Sequence, residues 1–309
     1  MTGLREHLAD YLKVRRAVGF KLARTELLLN DFVDYLEDHD AAIVTASAAI
    51  GWASLPATGP SSRWHAQRLS VVRVFARYLH VIDPIHEIPA AKVFPTPNQR
   101  ATPFIYTNAD IAAMMTAARG FANRLRAASL EAIIGLLAVS GLRIGEALRL
   151  DRSQVDLDNG VLQILDSKFG KDRLAPIHPT TSAALADYLM VRDRLSPQPQ
   201  NPAMFVSAAG TRMLYCNFHD AWLKIVSRAG LSARSAKCRP RPHDLRHTFA
   251  VNTIKAWYRG GDDVTAKLPT LATFLGHVHP GHTYWYLTGS PELLAIVVER
   301  LDNKDSGRS

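Results

Sequence analysis

A histidine and an arginine lie three residues apart in the stretch 241–250, which begins Arg-Pro-His-Asp-Leu-Arg. Pro242 suits the first turn of a helix and Asp244 complements the positive end of the helix dipole, so the stretch predicts a helix start. On a helix, His243 and Arg246 share one face. A histidine beside a permanently charged guanidinium stays neutral and can accept a proton, while the guanidinium can hold an anion such as phosphate.

The residues before this helix are strongly basic. These basic residues matter because a His–Arg pair at this spacing also occurs on ordinary solvated helix faces, and the pair alone is a weak signal. Placed directly before the helix, a basic run favours a surface that follows phosphates and leads to a site, although such a run can also be a solvated loop. The basic run comprises Lys224, Arg228, Arg234, Lys237, Arg239, Arg241 and Arg246, and Asp244 is the one acidic residue within it.

Arg143 follows a predicted helix stop at Gly141 and precedes Glu146 by three residues. A surface Arg–Glu pair is one interpretation of this spacing. Arg143 stands between the apolar Leu142 and Ile144, however, and an arginine at a buried helix junction is costly unless it holds an anion. We therefore interpret Arg143 as a candidate phosphate ligand.

Two lysines, Lys168 and Lys171, fall in a predicted hairpin turn. Lysines at such tips usually serve solubility, but a mobile tip could also bring an ammonium to a scissile bond. Farther along, His277 opens a histidine-rich stretch and Tyr286 follows it by nine residues. Metal binding is the alternative for the histidines, but no carboxylate or cysteine accompanies them, so we predict no metal site.

The first part of the chain, residues 1–90, predicts a small all-helical domain. Apolar stripes at helical spacing recur before residue 39, a short helix is expected at 41–50, and another at 63–80. The polar face of that last helix carries Arg68, Arg73 and Arg77. Dense prolines then predict a basic linker over 91–103, which includes Arg100.

Residues 104–302 predict a second domain, in which helices surround a small sheet. Strands at 155–157, 161–165 and 173–177 are expected to form an antiparallel meander. Helices are predicted at 130–139, 180–195, 216–229 and 268–275, with a loop at 259–263, a last helix ending at residue 301 and a disordered tail at 303–309. The fold class is therefore mainly α with a small antiparallel β-sheet (α+β).

Composition and charge indicate a globular protein with a polyanionic partner. The 309 residues are 47% hydrophobic and carry a net charge of +9, with a pI near 9.7. The N-terminus has no basic-then-apolar signal, and the most apolar window, 127–140, is interrupted by Glu131. We expect a cytoplasmic protein that associates with the nucleoid when bound to DNA. Cys216 and Cys238 lack metal-ligand spacing and indicate incidental thiols.

The order of these candidate residues resembles the active-site set of the tyrosine recombinases, also called the phage integrase family. The resemblance spans about residues 105–300 and includes nearly all of the block at 243–250. Residues 1–90 resemble the core-binding domain of that family less specifically. The spacing from Arg246 to His277, 277 − 246 = 31 residues, is longer than in compact members. We attribute it to an insertion around 258–267, which weakly favours a transposon-borne member acting in transposition of a mobile element.

The resemblance implies site-specific recombination by metal- and ATP-independent DNA cleavage and rejoining through a 3′-phosphotyrosyl intermediate, without a cofactor. Tyr286 would be the nucleophile, His243 the general base, and Lys168 the acid that protonates the leaving 5′ oxygen. Planar guanidinium groups neutralise a phosphate effectively. The phosphate would be held by Arg143, Arg246 and His277, with Glu146 orienting Arg143.

The resemblance also implies double-stranded DNA as the partner, enclosed between the two domains. A homotetramer is expected in the synaptic complex. The apolar face of the helix at 291–301 fits packing on a neighbouring subunit and equally fits docking on its own subunit. A monomer without DNA and additional accessory recombination proteins are compatible with the sequence, and no membrane partner is expected. Two other functions stay open: type IB topoisomerase-like DNA relaxation and, in a different class, non-catalytic DNA binding. Candidate DNA contacts are Arg68, Arg73, Arg77, Arg100, Lys171, Arg239 and Arg241.

Overall fold

The chain forms two compact units, Met1–Arg100 and Ala101–Ser309. The structure is a computed structural model that describes residues 3–55, 62–95, 101–165 and 172–277, together with Gly281, Thr283 and Tyr284. Within these ranges, no helix combines the length and the apolar run needed to cross a membrane. Helices around a three-stranded sheet confirm the predicted fold class. The predicted linker at 91–103 and the disordered tail stay predictions.

The described residues of the first unit form four helices: α1 (Leu4–Ala17), α2 (Ala23–Glu37), α3 (Ala46–Ser54) and α4 (Ser62–Ile82). Their apolar faces share one core around Phe32, Trp52 and Phe75, each fully buried. Amphipathic periodicity therefore predicted α1, α2 and α4 correctly.

The predicted helix at 41–50 was wrong in its placement. Thr45 caps α3, because its Oγ1 accepts a hydrogen bond from the N–H of Ala48 at 3.1 Å. The preceding segment is held in a non-helical conformation from outside: the N–H of Val44 donates to Nδ1 of His86 at 3.0 Å, and its carbonyl accepts from the N–H of Glu87 at 2.7 Å. A long-range contact therefore overrides local helix propensity here.

The second unit begins with three helices: α5 (Asn108–Arg119), α6 (Arg124–Ser140) and the short α7 (Ile144–Arg149). An antiparallel meander follows, formed by β1 (Val155–Asp156), β2 (Val161–Ile164) and β3 (Arg173–Pro176) in the order β1-β2-β3. Its register pairs Leu162 with Ala175 and Ile164 with Arg173. Four further helices complete the described part: α8 (Pro179–Leu195), α9 (Tyr215–Arg228), α10 (Asp244–Arg259) and α11 (Val264–Leu275).

Helix α6 is buried and ends at Gly141, as the sequence predicts. Gly141 has φ +60°, a left-handed conformation that ends many helices. A Cβ there would lie 2.6 Å from Cδ1 of Phe249 and 2.8 Å from Cδ2 of Leu275. Glycine is therefore required both by the backbone and by the close approach of α10 and α11, and the chain turns directly into Arg143.

Helix α11 starts earlier than the predicted 268–275. Asp263 caps it by accepting a hydrogen bond from the N–H of Ala266 at 3.1 Å, and Pro269 lies inside the helix. The proline, which normally marks a helix end, hid the first part of α11 from sequence analysis. Much of the segment ascribed to an insertion, 258–267, is thus the end of α10, a short turn and the first turn of α11.

Candidate active site

Arg143 lies immediately before α7, at the junction that follows α6. Its backbone N–H donates to Oε2 of Glu146 at 2.9 Å, and its Nη1 donates to Oε1 of the same carboxylate at 2.7 Å. Nη2 donates to the carbonyl of Gly276 at 3.2 Å. The side chain is 26% exposed. The guanidinium is therefore held in a fixed orientation and still reaches the surface.

Glu146 is a buried carboxylate between two guanidinium groups. Its side chain is 2% exposed, and Arg173 donates to both oxygens, from Nη1 to Oε1 at 3.2 Å and from Nη2 to Oε2 at 2.8 Å. Burial alone would raise the pKa of Glu146, but the hydrogen bonds from Arg173 and from the backbone of Arg143, with the positive charges of both, lower it to about 2. Glu146 is therefore an anion at neutral pH that fixes Arg143.

Arg246 projects from the first turn of α10 into the same region. Nη1 donates to the carbonyl of Gly141 at 2.8 Å, and Nη2 donates to the carbonyl of Leu275 at 2.6 Å. The residue is only 1% exposed. Arg246 thus joins the ends of α6 and α11, and its burial means that surrounding atoms must move before a large anion reaches it.

Three guanidinium groups converge on the C-terminal end of α11. Carbonyls in the last turn of a helix lack partners within the helix and carry the negative end of its dipole, so cations stabilise them. Here three consecutive carbonyls each accept one bond from a different arginine: Phe274 from Arg173, Leu275 from Arg246 and Gly276 from Arg143.

His243 precedes α10 by one residue, so the helix begins two residues later than Pro242 suggested. Desolvation of the ring, together with the positive charges of Arg246, Arg143 and Arg241, lowers the pKa of His243 to about 4. The side chain as a whole remains exposed, so we regard the repulsion by the guanidinium groups as the firmer cause. The ring lies nearly perpendicular to that of His247, with centroids 4.9 Å apart. At neutral pH, His243 is a neutral base.

His277 directly follows the end of α11. Its backbone N–H donates to the carbonyl of Ala272 at 2.9 Å, and its Nδ1 lies 2.7 Å from Oγ1 of the buried Thr283. These contacts fix the ring beside Gly276, whose carbonyl holds Arg143. The sequence-predicted Arg143, Glu146, His243, Arg246 and His277 are thus brought together by the ends of four helices.

Several predicted site residues fall outside the described part of the chain: Lys168, Lys171, Arg100 and Tyr286. Sequence analysis missed Arg173 and Thr283. Arg173 looked like an ordinary strand residue, and its one signal was its place directly after the lysine-containing turn. Among the described residues, no three histidine, cysteine or carboxylate side chains gather as they would around a metal ion.

Comparison with known proteins identifies the family. Residues 105–292 match the phage integrase family, and this match covers more than half of the chain. The chain belongs to the phage integrase family. It is therefore a tyrosine recombinase, an enzyme of site-specific DNA recombination.

Relatives of this tyrosine recombinase match it along most of its length. It is 40% identical to a putative integrase/recombinase, y4rB, of Sinorhizobium fredii, with all of both chains covered. It is 31% identical to the tyrosine recombinase XerD of Caulobacter vibrioides, over 84% of this chain and 81% of the relative. The Tn1549 transposon integrase, solved with circular intermediate DNA, shares the fold with a TM-score of 0.63 at 16% identity, over 97% and 100% of the two chains. These matches favour neither the topoisomerase nor the non-catalytic alternative.

The structure gives the predicted DNA contacts of this recombinase different environments. Arg68 is buried, with its guanidinium 3.8 Å from the centre of the Trp52 ring and Nη2 donating to the carbonyl of Trp52 at 3.0 Å. Arg73 donates to the carbonyls of Pro89 and Ala90 at 2.9 and 2.7 Å. Both arginines have structural partners within the first unit, which argues against a phosphate contact in this conformation.

The remaining described candidates are nearer the surface. Arg77 and Arg239 are exposed, as a phosphate contact requires. Arg241 pairs with the buried Asp244, from Nη2 to Oδ1 at 2.8 Å and from Nε to Oδ2 at 3.0 Å, and also donates to the carbonyl of Thr102 at 3.3 Å. Arg241 therefore holds the loop before α10 in place, and only its exposed part is open to DNA.

Proposed function

We propose that this recombinase cleaves DNA by attack of the Tyr286 phenol on a backbone phosphorus. As the bond from the phenol oxygen to phosphorus forms, the bond from phosphorus to the 5′ oxygen breaks. His243 accepts the phenol proton and Lys168 gives one to the leaving oxygen, so protons balance. The roles of Tyr286 and Lys168 rest on their order in the sequence and on the family.

The arrangement of Arg143 and Arg246 carries the proposal. The two guanidinium groups are anchored on adjacent carbonyls at the end of α11, directly before His277. Donors that are fixed before substrate arrives stabilise the charge that develops on a phosphate in the transition state, because they need no reorganisation during the reaction. Arg143, Arg246 and His277 are thus proposed to hold the two nonbridging oxygens of the scissile phosphate.

The low pKa of His243 supports its role as the base. Neighbouring guanidinium groups keep the ring neutral, and an entering phosphate would partly offset their charge and raise the pKa of His243 from about 4. A general base works best when its pKa approaches the working pH. Substrate binding would therefore itself improve His243 as a proton acceptor.

The burial of Arg246 supports a local opening on DNA binding. Because the residue is 1% exposed, a phosphate must displace covering atoms to reach its guanidinium. In the DNA-free state the Arg246 guanidinium would thus be already oriented but covered, and it would become accessible only when DNA binds. We also propose a homotetramer on two duplexes as the synaptic assembly, and nucleoid association when bound to DNA.

Trapping of covalent protein–DNA adducts tests the nucleophile. The probes are nicked duplexes tiled across the DNA that flanks the gene, in which the short fragment released by cleavage diffuses away. Wild-type protein should form adducts that resist denaturant, and Tyr286→Phe should form none while still binding. Tyr284→Phe is the matched control and should retain adducts. Adducts of Tyr286→Phe at the normal yield would overturn the assignment, and wild-type protein without adducts on any probe would contradict the proposed chemistry.

A further inference from the structure

Arg173, the first residue of β3, connects three separate elements of the second unit. Its Nη1 and Nη2 donate to the two oxygens of Glu146 at 3.2 and 2.8 Å, and its Nε donates to the carbonyl of Phe274 at 3.1 Å. The side chain is 11% exposed. A single planar guanidinium therefore ties the sheet to α7 and to the end of α11, using the two-pronged geometry that only arginine offers.

Through Glu146, Arg173 acts on Arg143, the group proposed to bind phosphate. The Glu146 carboxylate accepts from the backbone and the Nη1 of Arg143 on one side and from Arg173 on the other. A buried carboxylate that loses one of two cationic partners is free to rotate toward the other or to take up a proton. After either change, Glu146 would no longer hold the Arg143 guanidinium in a fixed orientation.

The backbone at Gly276 is shaped to accommodate this side chain. Gly276 has φ +66°, and a Cβ there would lie 3.0 Å from Nη1 and 3.2 Å from Cζ of Arg173. The carbonyl of the same Gly276 accepts from Arg143, and His277 is the next residue. The position of Arg173 and the path of the chain into His277 are therefore coupled by close contact.

We infer that Arg173 is a positioning residue for DNA cleavage, which sets Arg143 through Glu146 and the turn into His277 through Phe274 and Gly276. The inference rests on the proposed function, because the step that it serves is attack on a phosphate held by Arg143.

Single-turnover cleavage and DNA binding, measured side by side, test this role. The probe is the tiled nicked duplex on which the wild-type protein forms the most adduct. Arg173→Met should lower the first-order rate of adduct formation by about 100-fold, since misplacement of a catalytic group by about 1 Å can cost that much, while the Kd for the duplex changes less than about threefold. Arg173→Lys keeps the positive charge but lacks the planar guanidinium that donates to both oxygens of Glu146, so it should recover only part of the rate.

Arg192→Met is the matched control. Arg192 is also buried, pairs with Asp193 and donates to the carbonyl of Ala203, and neither of these partners belongs to the site. It should lose stability comparably and keep the wild-type cleavage rate. Equal rates for Arg173→Met and wild type, or an equal loss for Arg192→Met, would overturn the inference.

A second variant covers the case in which Arg173→Met fails to fold. Gly276→Ala forces the Arg173 guanidinium away, so it should slow cleavage with little change in Kd, and a normal rate in this variant would count against the inference. Failure of the proposed function itself has a different signature, because the wild-type protein would then form no adduct on any tiled duplex.

Discussion

Nη2 of Arg246 donates to the carbonyl of Leu275 at 2.6 Å, which links the first turn of α10 to the last turn of α11. The same guanidinium donates to the carbonyl of Gly141 through Nη1 at 2.8 Å. A group proposed to bind the scissile phosphate is thus used to join three helix ends. Substitutions at those helix ends should therefore slow DNA cleavage even though no catalytic side chain is changed.

Gly141→Ala should show this effect. An alanine at φ +60° costs about 1 kcal/mol, and the contacts of its Cβ with Phe249 and Leu275 add about 1 to 3 kcal/mol of overpacking. Chemical denaturation should show a loss of about 2 to 4 kcal/mol, and adduct formation should slow at a temperature where the variant is folded. Gly230→Ala is the control, since φ is +70° there but nothing lies within 4 Å. An equal loss in the two variants would contradict the packing argument.

Glu146→Gln should destabilise the second unit in a pH-dependent manner. The folded-state pKa of Glu146, about 2, lies below its ordinary value of 4.5, so its contribution is fully present above about pH 4.5 and is lost as the pH falls toward 2. At pH 7 the variant should lose on the order of 3 kcal/mol of unfolding free energy. Urea titrations at pH 7 and pH 3 should show the gap between variant and wild type narrowing at the lower pH. If the difference in unfolding free energy between variant and wild type were the same at both pH values, the charge of Glu146 would not be the source of that difference.

His243 should determine the pH at which the cleavage rate falls on the acid side of the pH–rate profile, here called the acid limb. Since protonation removes the base, the single-turnover rate should fall as the pH drops through the pKa of His243, which is about 4 without DNA and higher with a phosphate bound. His243→Gln should lower the rate by about 100-fold or more and flatten that limb. The measurement is a pH–rate profile of adduct formation for both proteins. An unchanged acid limb in the variant would assign the titration to another group.

Lys168→Ala should slow cleavage of ordinary DNA by about 100-fold or more, as loss of a general acid does. A 5′-bridging sulfur leaves without needing a proton, so the variant should cleave that substrate at close to the wild-type rate. Lys171→Ala, in the same predicted turn, is the control: as a candidate DNA contact it should weaken binding of both substrates alike and leave the cleavage rate of bound DNA unchanged. The reversed pattern would make Lys171 the acid, and equal slowing on both substrates would remove Lys168 from that role.

The amino-acid sequence by itself determined the local features and the chemistry. Helical periodicity predicted α1, α2 and α4, alternation and turn residues predicted the meander, and a helix stop was correctly placed at Gly141. Residue types and their order pointed to a tyrosine recombinase, because few other functions require arginines, a histidine base and a tyrosine in that arrangement. These inferences succeed because they depend on neighbours within a few residues or on side-chain chemistry alone.

Tertiary structure decided how the site is held together. Arg173 meets Glu146 across 27 residues and Phe274 across 101, and Arg246 meets Gly141 across 105. The placement of α3 likewise depends on a bond from Val44 to His86, 42 residues away. Contacts over such distances leave no periodic trace in the sequence, because they form between elements that become neighbours only when the chain folds. The identity of the site is therefore local information, and its geometry is a property of the fold.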